Sequence, residues 1–181
     1  MKKNILKLSA LAFIAVCFAL VSMRSYSEIK QAKQQTIVGE SKIVYLNAKK
    51  ADGTDKSFAD VIAEFKGKVV YVDFWASWCG PCRGQFPHAK KLHAKLNDKP
   101  VVFLYVSFDR SEEEWKEGAE NFELEGYHFY PNENQQRLIY NQFQVDGIPR
   151  YMLIDKNGKV VDADASRPSA SSILDEITKL L

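Results

Sequence analysis

Two cysteines separated by two residues are the part of this sequence best suited to chemistry. Cys79 and Cys82 enclose Gly80-Pro81, and they follow a β-branched and aromatic run, Val69 to Phe74, that is typical of a buried strand. After the pair, apolar residues recur at the helical spacings of three and four: Phe86, Ala89, Leu92 and Leu96. The pair therefore lies where a strand ends and a helix begins, and there two sulfurs can approach closely enough to bond.

A position at the start of a helix would make these cysteines reactive. Unpaired backbone N–H groups and the positive end of the helix dipole favour a thiolate over a thiol. Pro81 suits the first turn because its missing N–H would have no partner there, and Gly80 leaves the approach to Cys79 uncrowded. We expect Cys79, on the solvent side, to be the nucleophile and Cys82, one turn into the helix, to be the resolving thiol.

Asp73 is a further candidate, because it lies within the predicted strand six residues before Cys79. A carboxylate among valine, phenylalanine and tryptophan side chains must be desolvated or paired, and desolvation raises its pKa. Such a group could accept the proton of Cys82 in the second step of an exchange reaction. The alternative is an acid that solvent reaches at the end of the strand.

A metal site is the alternative use of the cysteines. His88 and His93 follow on the same predicted helix, but five residues place them ~140° apart around its axis. A closed four-ligand zinc site built from that helix is therefore disfavoured. We expect both histidines at the surface, and we expect no metal or other cofactor.

These features resemble the thioredoxin superfamily. Trp78-Cys-Gly-Pro-Cys82 has the sequence of its active-site motif, and Asp73 matches its buried carboxylate. Pro87 matches the proline of its active-site helix, and Gly147-Ile148-Pro149 resembles the cis-proline loop that lies against its disulfide. The resemblance covers residues 40–181. It is closest to the TlpA/ResA-like envelope branch, on Phe74-Trp-Ala-Ser-Trp-Cys-Gly-Pro-Cys-Arg83 and Leu153-Ile-Asp-Lys-Asn-Gly158.

The resemblance also assigns roles to residues around the pair. It implies that Pro149 is cis and that the Ile148 backbone binds an extended substrate chain. Trp78 could offer a flat surface to a protein substrate, or could pack into the core. In many thioredoxins a lysine on the neighbouring strand tempers the buried carboxylate, and here Tyr105 takes that position. Arg150 replaces the common threonine and could favour acidic or carbonyl-rich segments of a partner.

The implied function is thiol–disulfide exchange, with a reductase as the preferred direction. Gly80-Pro81 resembles the reductases, whereas strongly oxidising relatives usually carry a histidine between their cysteines. We therefore expect a reductase of disulfide-containing envelope proteins that is itself re-reduced by a membrane thiol donor. The alternatives are a cytochrome c maturation thiol reductase, whose relatives tend to carry Glu between the cysteines, a disulfide oxidase or isomerase, and a non-enzymatic protein-binding module.

The N-terminal segment predicts export. Lys2, Lys3 and Lys7 precede an apolar run over residues 8–23 that is short for a membrane span, and Ser25-Tyr-Ser27 is a small-x-small cleavage site. Residues 1–27 are thus a signal peptide, or an anchor attached to the inner membrane through residues 8–23. We expect residues 28–39 to be a tether, residues 40–181 a thioredoxin-like domain, and the location the periplasm or cell envelope.

Composition narrows the classes of partner. The 181 residues, 46% hydrophobic and 27% charged, suit one globular domain with an appendage. Residues 1–27 hold four basic and no acidic residues, so the remainder carries 21 basic and 23 acidic residues, a net −2. This balance argues against nucleic-acid binding. Cys17 lies in the apolar run after Val16, which is not the small residue that lipid modification requires, so one cysteine pair remains.

The remaining segments predict the elements that position the site. Ser57 with Asp60 opens a helix that Gly67 closes, Val101 to Phe108 is a second buried strand, and Ser111 with Glu114 opens another helix. A final helix is expected to bury Ile173, Leu174, Ile177 and Leu181. The order is β–α–β–α–β–α–(β)–α–β–β–α, in which Gly126 to Tyr130 is a short strand or an extended segment. It is that of an α/β protein, a thioredoxin-like three-layer α/β/α sandwich with a central mixed sheet. The stretch between Phe108 and Gly147 is an insertion before the cis-Pro loop, as in the TlpA/ResA-like branch.

Overall fold

The computed structural model describes residues 42–181, where all the predicted site residues lie. The leader predicted over 1–27 and the tether predicted over 28–39 lie outside the described residues.

In this described part of the chain, six strands form one mixed sheet in the order β1-β4-β3-β2-β5-β6. The first four in that order run parallel, whereas β5 is antiparallel to β2 and β6 is antiparallel to β5. The strand that leads to the cysteines, β2, lies between β3 and β5 and is buried along its whole length, as its β-branched and aromatic residues predict. The strands are β1 (Ile43–Tyr45), β2 (Val69–Trp75), β3 (Val101–Ser107), β4 (Gly126–Phe129), β5 (Arg150–Ile154) and β6 (Val160–Asp162).

Within residues 42–181, five helices cover the two faces of the sheet and complete the predicted three layers. They are α1 (Phe58–Ala63), α2 (Gly80–Leu96), α3 (Glu112–Asn121), α4 (Glu133–Phe143) and α5 (Ile173–Thr178). Alternate residues of β2 point to opposite faces, so Tyr71 and Trp75 join the core beneath α2, α3 and α5. Val72 and Phe74 join a second core beneath α1 and α4.

The helix starts agree with the sequence in part. Ser57 and Asp60 form the predicted capping box of α1, but the helix ends at Ala63 and a turn leads to Gly67 at φ +89°. Ser111 caps α3 through the Glu114 amide, while the Glu114 carboxylate accepts from the Arg110 amide instead of returning the bond to Ser111. The sequence therefore predicted both helices, but it extended the first too far.

The last helix is shorter and less buried than predicted. It ends at Thr178, and Ile173 and Ile177 face the core as expected. Leu174 and Leu181 are only partly buried, because Leu174 lies at the edge of the apolar face and Leu181 lies beyond the helix end. The prediction that all four side chains are buried was wrong for these two.

The stretch between Phe108 and Gly147 folds into α3, β4 and α4. Strand β4 lies between β1 and β3, in parallel register with both, so this segment is part of the sheet. Its first helix packs beside the loop that precedes the cysteines, where the Gly118 backbone approaches Ser77 and Trp75. The insertion therefore helps to shape the surroundings of the cysteine pair.

Candidate active site

The cysteine pair lies at the predicted junction of strand and helix. Cys79 is the N-cap of α2, Pro81 occupies the first turn, and Pro87 lies within the same helix. Cys79 and Cys82 form a disulfide with their Cα atoms 5.3 Å apart. The Cys82 amide donates to Cys79 Sγ at 3.1 Å, so the first turn of α2 directs an N–H group at the sulfur expected to be the nucleophile.

The surroundings of the disulfide open only slightly to solvent. Cys79 is 4% exposed and Cys82 is fully buried, so the opening lies at Cys79, in the order expected of nucleophile and resolving thiol. Gly80 and Pro81 are exposed beside it. Trp78 is 56% exposed, which favours its role as a flat contact surface over the alternative of core packing.

The predicted cis-proline loop lies against the cysteine pair. The Ile148–Pro149 peptide bond is cis, as predicted. Cys79 Sγ lies 3.8 Å from the Ile148 carbonyl oxygen, and both Ile148 and Pro149 are partly exposed. A substrate chain that reached Cys79 would therefore pass the backbone of this loop.

Asp73 is buried beneath the site, at 3% exposure. Burial raises the pKa of its carboxyl to about 8, as the sequence analysis expected, and the alternative of an acid reached by solvent is wrong. Its Oδ1 atom has no hydrogen-bond partner among residues 42–181. A carboxyl group with a pKa near neutrality can exchange protons under physiological conditions, which suits it to serve a buried thiol.

Aromatic side chains surround this carboxyl. Tyr105 on β3 and Tyr151 on β5 are the cross-strand partners of Asp73 on its two sides. Burial, with an added contribution from the Asp73 carboxyl, raises the pKa of both phenols well above the usual range. Tyr105 thus lies beside the carboxyl, at the position where many thioredoxins carry a lysine.

Arg150 is already engaged within the protein. Its Nε donates to the Ala163 carbonyl oxygen at 2.9 Å and lies 3.1 Å from Asp164 Oδ1. Its Nη1 lies 4.0 Å from Asp146 Oδ1. The suggestion that Arg150 recruits acidic segments of a partner is therefore not favoured, because carboxylates of the chain already occupy its guanidinium.

The histidines differ in their surroundings. His88 is exposed, as predicted, while His93 is half-buried, against the Phe103 ring at 4.7 Å between centroids. Within residues 42–181 no group of three or more histidine, cysteine, aspartate or glutamate side chains is arranged to hold a metal ion.

Sequence reasoning missed two buried polar residues close to the site. His128 is fully buried and stacks on Tyr105 at 4.9 Å between ring centroids, and burial lowers its pKa to about 4. Asp109 is buried behind the loop of Cys79 and binds Ser77. A signal for Asp109 was present, since a polar residue just after a buried parallel strand lies at the edge of the sheet where β2 also ends.

Comparisons with known proteins agree with this geometry. The thioredoxin-like family matches residues 67–160, which is more than half of the chain. The chain belongs to the thioredoxin-like family. One similar protein is a proposed thiol-disulfide oxidoreductase from Bacteroides vulgatus, known from a crystal structure. It is 34% identical at a TM-score of 0.61, and the match covers 74% of this chain and 89% of that chain.

Other relatives of this thioredoxin-like chain have the same described activity. The thioredoxin domain of a thiol-disulfide oxidoreductase from Bacteroides vulgatus is 27% identical at a TM-score of 0.60, covering 74% of this chain and 91% of that chain. The thiol-disulfide oxidoreductase ResA of Bacillus cereus is 27% identical over 166 residues, 90% of this chain and 88% of that protein. The predicted likeness to the TlpA/ResA-like branch is confirmed, and with its Cys79–Cys82 pair the chain is a thiol–disulfide oxidoreductase.

None of the helices within residues 42–181 is both long enough and apolar enough to cross a membrane. The apolar run over residues 8–23, where attachment was predicted, lies outside the described residues.

Proposed function

We propose that this protein reduces disulfides of exported proteins in the periplasm or cell envelope. The observation that carries the proposal is the placement of Cys79 at the N-cap of α2, with its sulfur 3.1 Å from the Cys82 amide. An N–H group in that position stabilises a thiolate, which makes Cys79 both an attacking group and a good leaving group.

The reaction proceeds through a mixed disulfide. The Cys79 thiolate attacks one sulfur of a substrate disulfide, and the other substrate sulfur leaves as a thiolate and takes up a proton. Cys82 then gives its proton to the Asp73 carboxylate and attacks Cys79 Sγ, which releases the second substrate sulfur as a thiolate. That thiolate takes up a proton from solvent, and Asp73 returns the proton of Cys82 to solvent. The substrate gains two electrons and two protons, and the Cys79–Cys82 pair is left oxidised.

Substrate binding in this proposal uses the exposed rim of the site. An extended segment of the substrate lies along Ile148 and Pro149, close to Cys79 Sγ, with Trp78, Gly80 and Pro81 on the other side. Two partners follow: envelope proteins that contain disulfides, and a membrane thiol donor that reduces the pair again. Export depends on residues 1–27, either as a signal peptide or as an anchor through residues 8–23.

Trapping tests the exchange chemistry. Cys82→Ser keeps the nucleophile and removes the resolving thiol, so we expect mixed disulfides with envelope proteins to accumulate and to disappear on reduction. Cys79→Ser is the matched control, and it should trap none. If neither variant captures a partner, the exchange mechanism on protein substrates is refuted.

The reduction potential tests the direction. In the chain with Cys17→Ser only the Cys79–Cys82 pair titrates, and we expect a potential near the thioredoxin value of about −270 mV. A value near about −120 mV would make the protein a disulfide-forming oxidase instead. Trapped partners rich in Cys-x-x-Cys-His segments would favour the cytochrome c maturation role.

A further inference from the structure

The loop that carries Cys79 is fastened to the neighbouring strand by one buried carboxylate. Ser77 lies two residues before Cys79, and its backbone amide donates to Asp109 Oδ1 at 2.9 Å. Its hydroxyl donates to the same oxygen at 2.7 Å. These bonds connect residues 32 apart in sequence.

The other oxygen of the carboxylate is held at the end of β3. Ser107 Oγ donates to Asp109 Oδ2 at 2.8 Å, and it accepts from the Asp109 amide at 2.9 Å. Ser107 pairs with Trp75 in the register of β2 and β3, and the Phe108 amide donates to the Trp75 carbonyl at 2.8 Å. The carboxylate therefore bridges the ends of two central strands at the point where the chain leaves β2 for the cysteines.

Burial strengthens this bridge. Asp109 is 3% exposed and Ser107 is fully buried, so losing a bond would leave polar atoms without a partner away from water.

The helix α3 makes a second contact with the same loop. A Cβ atom added at Gly118 would lie 2.8 Å from Ser77 Cβ and 3.2 Å from a ring carbon of Trp75. Contacts under about 3.0 Å do not occur without displacement, so the glycine lets the helix backbone lie directly against Ser77. The loop is thus held from two sides by residues of the segment after β3.

We propose that Asp109 is a positioning residue of the redox centre: through Ser77, its carboxylate fixes the loop that places Cys79 Sγ against the first turn of α2. This role of Asp109 rests on the proposed thiol–disulfide exchange at Cys79, and it is independent of the direction of electron flow. The geometry that it maintains is the contact of Cys79 Sγ with the Cys82 amide, together with the Cys79 amide bond to the Ala76 carbonyl at 3.0 Å.

The role predicts how the reactivity of Cys79 changes when the bridge is lost. In Asp109→Ala the loop is released, the sulfur loses its fixed place at the helix terminus, and the thiolate is less stabilised. We expect the pH midpoint of Cys79 alkylation to rise by about one unit and the rate at pH 7 to fall about tenfold. Asp109→Asn should keep a midpoint close to wild type, because its amide oxygen can accept both Ser77 bonds and its NH₂ group can donate to Ser107.

The measurement is the rate of iodoacetamide alkylation at Cys79, followed by mass spectrometry over a pH series in the reduced full chain with Cys17→Ser. Ser77→Ala removes one of the two bonds and should shift the midpoint in the same direction, by less. This variant still provides a test if Asp109→Ala does not fold.

Ile139→Ala is the matched control for lost stability, since Ile139 is buried in the core on the other face of the sheet. It should lower stability and leave the midpoint unchanged. The inference is overturned if Asp109→Ala and Ser77→Ala also lower stability without moving the midpoint, or if Asp109→Asn moves it as far as alanine. A wild-type Cys79 that does not react would instead refute the exchange mechanism itself.

Discussion

At the scale of single residues, Asp73 is a buried carboxyl group, and the described part of the chain places no cation beside it. Its pKa is raised to about 8 by burial alone, and no hydrogen bond or ion pair to it occurs within residues 42–181. Near neutral pH most of this carboxyl is therefore protonated, and the ionised fraction grows as the pH approaches 8. A proton acceptor of this kind makes the resolution step, in which Cys82 must lose its proton, depend on pH.

Asp73→Asn tests that role directly. Decay of a mixed disulfide at Cys79 should slow on the order of 100-fold near pH 8 and lose its rise with pH, because an amide cannot accept the proton. Stopped-flow measurement of substrate thiol release gives the rate. Glu176→Gln is the control carboxyl change, since Glu176, on α5, accepts a hydrogen bond from Ser166 in the loop before that helix and takes no part in the proposed chemistry. An unchanged pH profile in Asp73→Asn would remove Asp73 from the mechanism.

At the scale of elements, the register of the strands determines what surrounds Asp73. In one row across the sheet, β4, β3, β2 and β5 contribute His128, Tyr105, Asp73 and Tyr151. With Tyr71 on the same face of β2, three neutral phenols lie near the carboxyl. The pKa of all three is raised, mainly by burial and secondly by the charge of the Asp73 carboxyl. The sheet thus provides an uncharged surrounding that leaves burial as the dominant effect on Asp73.

Tyr105→Lys should reverse that effect. A cation on β3 next to the carboxyl favours its ionised form, so the pH midpoint of the resolution step should fall by about one unit or more. Tyr105→Phe is the matched control, because it keeps the ring and adds no charge, and its midpoint should stay near that of the wild type. If the lysine and phenylalanine variants have equal midpoints, the register does not control the carboxyl.

The features that the sequence could predict are local, whereas those that it could not predict depend on which strands are neighbours. The Cys79–Cys82 pair, the burial of Asp73 and the start of α2 are local, since each depends on residues within a short stretch and its periodicity. The Asp109–Ser77 bridge joins residues 32 apart, and its meaning depends on β2 and β3 being neighbours with Trp75 opposite Ser107. His128 belongs to a four-residue strand, too short for its pattern to show that β1 and β3 would enclose it.

At the scale of the whole molecule, Asp73 and His128 act on stability in opposite directions. Asp73 has a folded pKa of about 8 against an ordinary 3.8, so between these values the folded chain holds a proton that the unfolded chain has lost. Rising pH therefore favours unfolding over that window. His128 has a folded pKa of about 4 against an ordinary 6.5, so in that window the unfolded chain holds the extra proton and rising pH favours folding.

These signs predict a stability profile with two parts. From about pH 4 to 6.5 the two contributions largely cancel, and from 6.5 to 8 only that of Asp73 remains, which lowers the free energy of unfolding by about 1.5 kcal/mol. Urea unfolding of the oxidised chain at pH 5, 6.5 and 8 measures the profile. Asp73→Asn should abolish the fall above pH 6.5, whereas His128→Phe should extend the fall down towards pH 4. Asparagine exchanges no proton at position 73. If the free energy of unfolding of Asp73→Asn still falls with pH as steeply as that of the wild type, the buried carboxyl is not the group that connects folding to pH.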